Sequence, residues 1–209
     1  MSSVFPSNWL AQSAGILAGS CVLLASFDVF YFLRVASFRI SSLFQSPMTP
    51  ADEGSILSFC GPNDIDIYLH MNNSRYMREM DFGRYDFYFR SGLAKYIGEH
   101  RNLTVVQHAA LIRYRRSIDF LMRFHLKTKL IWFDERALYF EQRFISKHDG
   151  FVRAVALCKN TFVNSEDMIK VMTEHFNIPL PICPPYLESF IKSNEESSLA
   201  LKEEMLQLS

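Results

Sequence analysis

No Lys, Arg, Asp or Glu occurs before Asp28 in this 209-residue chain. Residues 1–8 thus lack the basic n-region of a cleavable signal peptide, which turns the apolar run behind them toward a retained anchor. Net charge is missing too: 22 Lys and Arg balance 22 Asp and Glu, so nothing calls for nucleic acid or a polyanionic partner. Cysteine is sparse. Cys21, Cys60, Cys158 and Cys183 show no CxxC spacing, and Cys21 falls in the apolar run, leaving an odd number for the folded part. That excludes a disulfide framework and fits a reducing compartment. The six histidines include no HxH or HxxxH pair, so neither a metal nor another cofactor is expected.

What the chain does have is apolar bulk, 49% of residues with Phe occurring 19 times, enough for one well-packed domain with appendages. From Trp9 to Val35 it reads WLAQSAGILAGSCVLLASFDVFYFLRV. The hydrophobic core runs from Leu10 to Phe27, and continued through Phe32 or Leu33 it reaches bilayer length if Asp28 sits near an interface. Arg34 and Arg39 follow, which places the C-terminal side in the cytosol. Two sequons, Asn72-Asn73-Ser74 and Asn102-Leu103-Thr104, agree, because a lumenal domain would carry a glycan within its most polar loop. The expected location is the endoplasmic reticulum or another secretory-pathway membrane with the domain cytosolic. Secretion after signal cleavage is the alternative.

Past a linker with two prolines, Ser41 to Ala51, the periodicities sort into a short strand (Ile56 to Cys60), a helix from Asn73 to Arg90 and a shorter one from Leu93 to His100. Tyr76, Met80, Gly83 and Phe87 share one face of the long helix, and Gly83 there permits an unusually close approach to whatever it packs on. Four strands follow, Leu103 to Ser117, Arg123 to Phe133, Leu138 to Ser146 and Phe151 to Val163. They are rich in β-branched and aromatic residues and are separated by turns such as Lys147-His148-Asp149-Gly150. Ser165 is the expected cap of a helix opening with Glu166 and Asp167. A Pro-rich passage leads to a last amphipathic helix from about Ser193 to Leu208. The division is residues 1–35 anchor or signal, 36–54 linker, 55–165 an α+β domain, and 166–209 a helical extension.

The odd stretch is DIDIYLHMNNSRYM, Asp64 to Met77, which gathers two carboxylates, a histidine and two asparagines at the doorway of the aromatic helix. Turn and cap duties explain such residues in part, since Asp is common in loops before helices and Asn caps them. A carboxylate at the mouth of an apolar pocket also serves as base or nucleophile. The unsatisfied N–H groups at a helix start polarise a carbonyl.

A short strand, a polar loop, a long aromatic helix and an antiparallel meander resemble the hotdog fold of the acyl thioesterase superfamily, of the 4-hydroxybenzoyl-CoA thioesterase type. The loop resembles that family's D-x-D-x-x-x-H-x-N-N-x-x-Y signature in Asp64, Asp66, His70, Asn72, Asn73 and Tyr76. Asp81 stands where many members have a glutamate, and Arg84 matches the arginine that often follows. LHMNNSRYMRE, YRRS and SNEESS extend the likeness over nearly the whole chain, to an animal branch with the same apolar N-terminus. The resemblance implies catalysis by Asp66 and His70, with Asn72 and Asn73 at the oxyanion and Asp64, Tyr76 and Asp81 in support. It also implies coenzyme A phosphates on Arg113, Arg115 and Arg116, and a homodimer with sites across its interface. The expected ligand is acyl-CoA or another acyl thioester. Tyr68 departs from the pattern: plant acyl-carrier-protein thioesterases with this signature have asparagine there. The bulk of Ile67, Tyr68 and Leu69 favours a second reading, an acyl-lipid-binding or scaffold protein without turnover. Strand alternation would separate Arg113 and Arg115 from Tyr114 and Arg116.

Overall fold

The computed structural model describes residues 9–164 and 167–208. Helix α1 (Trp9–Ser26) stops at Phe27, and α2 (Val29–Ser41) starts at once because the Asp28 carboxylate accepts from the Tyr31 N–H at 3.1 Å. The span expected from Leu10 to Leu33 is therefore divided. At 1.5 Å per residue α1 is about 27 Å long, against about 30 Å of bilayer hydrocarbon. Among the described residues no helix is long and apolar enough to cross a membrane.

The second half of that apolar run instead packs on protein. Tyr31 and Phe38 lie 5.2 and 5.9 Å, ring to ring, from Phe82 of the central helix α3 (Asn73–Arg90). The Arg34 guanidinium sits 4.1 Å over the same ring. It also holds both carboxylate oxygens of Glu79, Oε2 at 2.7 Å, and donates to the Ser58 hydroxyl at 2.9 Å. Glu79 is 1% exposed, so without Arg34 its charge would be buried unpaired.

Strands β1 (Glu53–Phe59), β2 (Thr104–Tyr114), β3 (Arg123–Phe133), β4 (Ala137–Ser146) and β5 (Val152–Val163) form one antiparallel sheet. Its order is β1-β3-β4-β5-β2, which leaves β1 and β2 as edges. Registers such as Leu126↔Phe144 and Phe144↔Ala154 align large and small apolar residues on the inner face, and the sheet wraps α3 as the hotdog likeness implies. The Asp149-Gly150 turn closes β4 to β5, with Gly150 at φ +67° and the Asp149 carboxylate accepting from the Phe151 N–H at 3.0 Å.

Gly83 is where helix and sheet meet. A Cβ there would stand 2.7 Å from Thr128 Oγ1 and 2.8 Å from Gln142 Nε2. Gln142 donates to the Met80 carbonyl at 3.0 Å and to Thr128 at 2.9 Å, fixing the seat.

Helix α4 (Leu93–Glu99) follows α3, and α5 (Met168–Lys170) runs on as a π-helical turn through His175. Ser165 and Glu166 lie outside the described residues; Asp167 caps α5, accepting from the Ile169 N–H at 2.9 Å. Helix α6 (Pro185–Leu208) begins well before Ser193 because proline, a breaker inside helices, suits the first helical position. Its Leu187 and Phe190 cover Ala137, Tyr139 and Leu157 on the outer face of the sheet.

Candidate functional site

The polar loop is built from backbone bonds made by its own side chains. Asp64 accepts from the Gly61 N–H at 2.9 Å, and Asp66 Oδ1 accepts from the Tyr68 N–H at 2.8 Å. Asp66 donates its own N–H to the His70 carbonyl at 2.9 Å. Leu69 holds φ +59°, a left-handed conformation that costs a leucine about 1–2 kcal/mol. Two bonds keep it there: Leu69 N–H to the Asp66 carbonyl, 3.1 Å, and Phe120 N–H to the Leu69 carbonyl, 3.1 Å.

Asn72 is the α3 cap, its Oδ1 accepting from the Ser74 N–H at 3.0 Å. Asn73 is the exposed first helical residue. Tyr76 is buried, and its hydroxyl accepts from the Ile118 N–H at 3.3 Å. Burial pushes that phenol up to about 12.

The partner of His70 is a residue that sequence reasoning missed. His70 Nε2 lies 3.5 Å from Asp119 Oδ1, with both side chains about half exposed. Asp119 also accepts from the Ser117 hydroxyl at 2.8 Å. No spacing links Asp119 to the loop; backbone bonds such as Met71 N–H to the Ile118 carbonyl, 2.7 Å, and the His70↔Asp119 bridge bring the two segments together.

Asp81 sits elsewhere, eight residues and so about 12 Å along α3 from Asn73. It lines a cavity of about 420 Å³ between α3, α4, β2 and β5. Arg84 pairs with the Asp81 carboxylate and with Gln107, and donates to Gln142 at 2.8 Å. Burial raises the Asp81 pKa, with Arg84 opposing the shift. Tyr85, Phe89, Ile97, Leu103 and Val105 supply apolar walls. Asn160, 4% exposed, donates to the Tyr88 hydroxyl at 2.7 Å, while its Oδ1 has no partner among the described residues. The cavity is an apolar chamber with a carboxylate and a buried arginine in its wall. Within one chain it does not join the Asp66 and His70 loop.

The arginines divide differently from the expected alternation. Tyr114 turns inward onto Tyr76, 5.0 Å between rings, so Arg113 faces outward. The strand then ends: Arg115 and Arg116 both donate their N–H groups to the Arg153 carbonyl, at 2.8 and 3.2 Å. Their guanidinium groups converge on the Phe151 ring, at 4.7 and 4.2 Å. Alternation lapses because these two residues have left the ladder that imposes it.

The comparisons with known proteins agree with this architecture. A family model described as the thioesterase-like superfamily matches residues 60–181. The chain is 38% identical over 185 residues to Protein THEM6 of Drosophila melanogaster, covering 88% of this chain and 95% of that one. It is 36% identical over 195 residues to Protein THEM6 of Danio rerio, with 90% and 94% covered. Among solved structures, the probable thioesterase YbaW of Escherichia coli has a TM-score of 0.54 at 20% identity, over 58% of this chain and 94% of its own. A Staphylococcus aureus protein solved in complex with CoA has a TM-score of 0.53 at 16% identity, over 68% and 96%. These two likenesses are of fold.

Proposed function

This chain belongs to the thioesterase-like superfamily, and we propose that it binds fatty acyl thioesters such as acyl-CoA and hydrolyses them as a homodimer. The observation that carries the reading is the Asp81–Arg84 chamber, an apolar cavity large enough for an acyl group with a partly buried carboxylate in its wall.

A second copy explains why the two polar clusters lie apart. Gln107, at the cavity, and Tyr114, at the end of β2 before Arg115, are seven residues apart, about 23 Å. Antiparallel pairing of two β2 edges about a point near Leu111 sets the Gln107 end of one copy beside the Arg115 end of the other. The loop of Asp66 and His70, attached to residues 117–120, then approaches the partner's chamber. In that arrangement the acyl chain lies in the chamber, and Arg115 and Arg116 on Phe151 hold the anionic end of the carrier. Asp66 takes a proton from water as it attacks the thioester carbonyl. The positive end of α3 steadies the oxyanion, and the thiolate leaves with the proton.

The second reading, binding without turnover, draws on Ile67, Tyr68 and Leu69, all well exposed on the loop where they narrow the approach to Asp66. The test is release of free coenzyme A from a panel of acyl-CoA esters by the full chain, beside Asp66→Asn and Asp81→Asn. Turnover lost in Asp66→Asn with the fold intact supports hydrolysis. Acyl-CoA binding without turnover favours the second reading, and absence of both refutes the two together.

Helix α1 lodges, in this proposal, in a membrane of the secretory pathway such as the endoplasmic reticulum, with the domain in the cytosol. It carries no charge, and Ile16, Leu17 and Val22 are at least 66% exposed. Engagement of Asn72 as the α3 cap also weighs against a glycan there. Protection of the domain from protease in sealed microsomes would refute this topology.

A further inference from the structure

Helix α6 is longer than the surface it covers. Near its start the Tyr186 hydroxyl donates to Glu141 on β4 at 3.1 Å. Leu187 and Phe190 belong to the apolar cluster over β4 and β5, which Ala109 of β2 joins. By Asn194 to Lys202 the neighbours are Lys159 of β5 and His108 of β2. The contacts thus step from β4 to β2, the last strand of the sheet. Residues 203–208 add about 9 Å of helix, or roughly two strand spacings, with no more of this sheet in that direction to lie on. Every described side chain from Glu195 to Gln207 is exposed, including Leu199, Leu201 and Met205 at 58% or more.

We infer that residues 203–208 of α6 cross onto the outer face of a second copy of this chain and lie over its Leu111 and Arg113. The inference rests on the β2-edge dimer proposed above, in which the outer faces of both sheets point to the same side. Pairing about a point near Leu111 sets His108 of one copy, where α6 leaves its own sheet, opposite residues 111–114 of the other.

That patch matches the overhang in kind. Leu111 is 53% exposed on β2, and Arg113 is exposed and makes no ion pair among the described residues. Across the face the register runs from Arg113 to Val155, Arg143 and Lys127, but Arg143 and Lys127 are already paired with Glu141 and Glu53, so Arg113 is the free cation of the row among the described residues. The overhang carries Glu203 and Glu204 beside the apolar Met205 and Leu206. Apolar side chains meet an apolar strand, and acidic side chains meet an unpaired cation.

The experiment is sedimentation equilibrium of the full chain in mild detergent, beside a chain ending at Lys202, Arg113→Glu, and Arg113→Glu combined with Glu203→Lys and Glu204→Lys. The shortened chain and Arg113→Glu are each expected to raise the dimer dissociation constant about ten-fold or more, a change of about 1.4 kcal/mol. The combined reversal brings it back toward the parent value. A parent dimer that all variants leave unchanged overturns the crossing of α6 and leaves the β2 dimer standing. A parent chain that is monomeric at tens of micromolar, roughly −6 kcal/mol of association or weaker, overturns both. Should the shortened chain fail to fold by circular dichroism, the charge reversal decides alone.

Discussion

Replacing Gly83 by alanine tests the close seating of α3. The added Cβ would stand 2.7 Å from Thr128 Oγ1, 2.8 Å from Gln142 Nε2 and 2.9 Å from Leu126 Cδ2. Thr128 and Gln142 are 1% and 0% exposed, so neither can swing into water. Overpacking of this kind costs about 1–3 kcal/mol. Moving Gln142 also breaks its bond to Thr128 or to the Met80 carbonyl, leaving a buried donor unpaired at about 1–3 kcal/mol. Against this, alanine gains about 1 kcal/mol over glycine in a helix. The expected net loss is about 1–5 kcal/mol, read as a lower midpoint in urea with an unchanged slope. Gly98→Ala in α4 is the control: nothing lies within 4 Å of its Cβ, so it should be neutral or stabilising by up to about 1 kcal/mol. If Gly83→Ala behaved like Gly98→Ala, the reasoning about this contact would be refuted.

Arg34→Ala should cost roughly 3 kcal/mol or more, because it strands the buried Glu79 carboxylate. Arg78→Ala, which removes a pair with half-exposed Asp28, should cost less than about 1; equal losses in a denaturation series would argue against the clamp. Asn72→Ala should cost about 1 kcal/mol while Asn72→Ser costs little, and loss of activity in Asn72→Ser without loss of stability would assign Asn72 a role beyond its cap. Burial raises the Asp81 pKa above its unfolded value, so its contribution is fully present below about pH 3.9 and is lost as pH rises through the folded value. Asp81→Asn should therefore be at least as stable as the parent at pH 7, with a steeper acid limb in thermal melts because the gain from protonating Asp81 is gone, yet bind acyl-CoA more weakly; a less stable variant at pH 7 would reverse the sign of the argument.

The parts of the fold that follow local rules were readable in the sequence. Asn73 to Arg90 carries its own cap and apolar stripe, Arg123 to Phe133 alternates, and Asp149-Gly150 marks its hairpin. The loop signature, too, placed Asp64, Asp66, His70 and Asn72 on one turn at the start of α3. What escaped depends on partners far along the chain. Arg34 looked like a topogenic charge because Glu79, its partner, is 45 positions away. Asp119 has no motif of its own, and the chamber at Asp81 exists only where α3, α4, β2 and β5 meet. The start of α6 was hidden by Pro184 and Pro185, which read as breakers until their place at a helix origin is seen.

The clamp between α2 and α3 also says where this domain can be cut. A chain trimmed to begin in the Ser41–Ala51 linker would lose Tyr31, Arg34 and Phe38 together. It would open the Phe82 ring to solvent and leave the Glu79 charge with only the Ser58 hydroxyl, at 2.7 Å. Such a fragment carries a fresh sticky face and an uncompensated anion, so an assay on it would report on a damaged protein. The boundary that preserves the folded unit lies at Asp28, where the carboxylate that starts α2 remains in place.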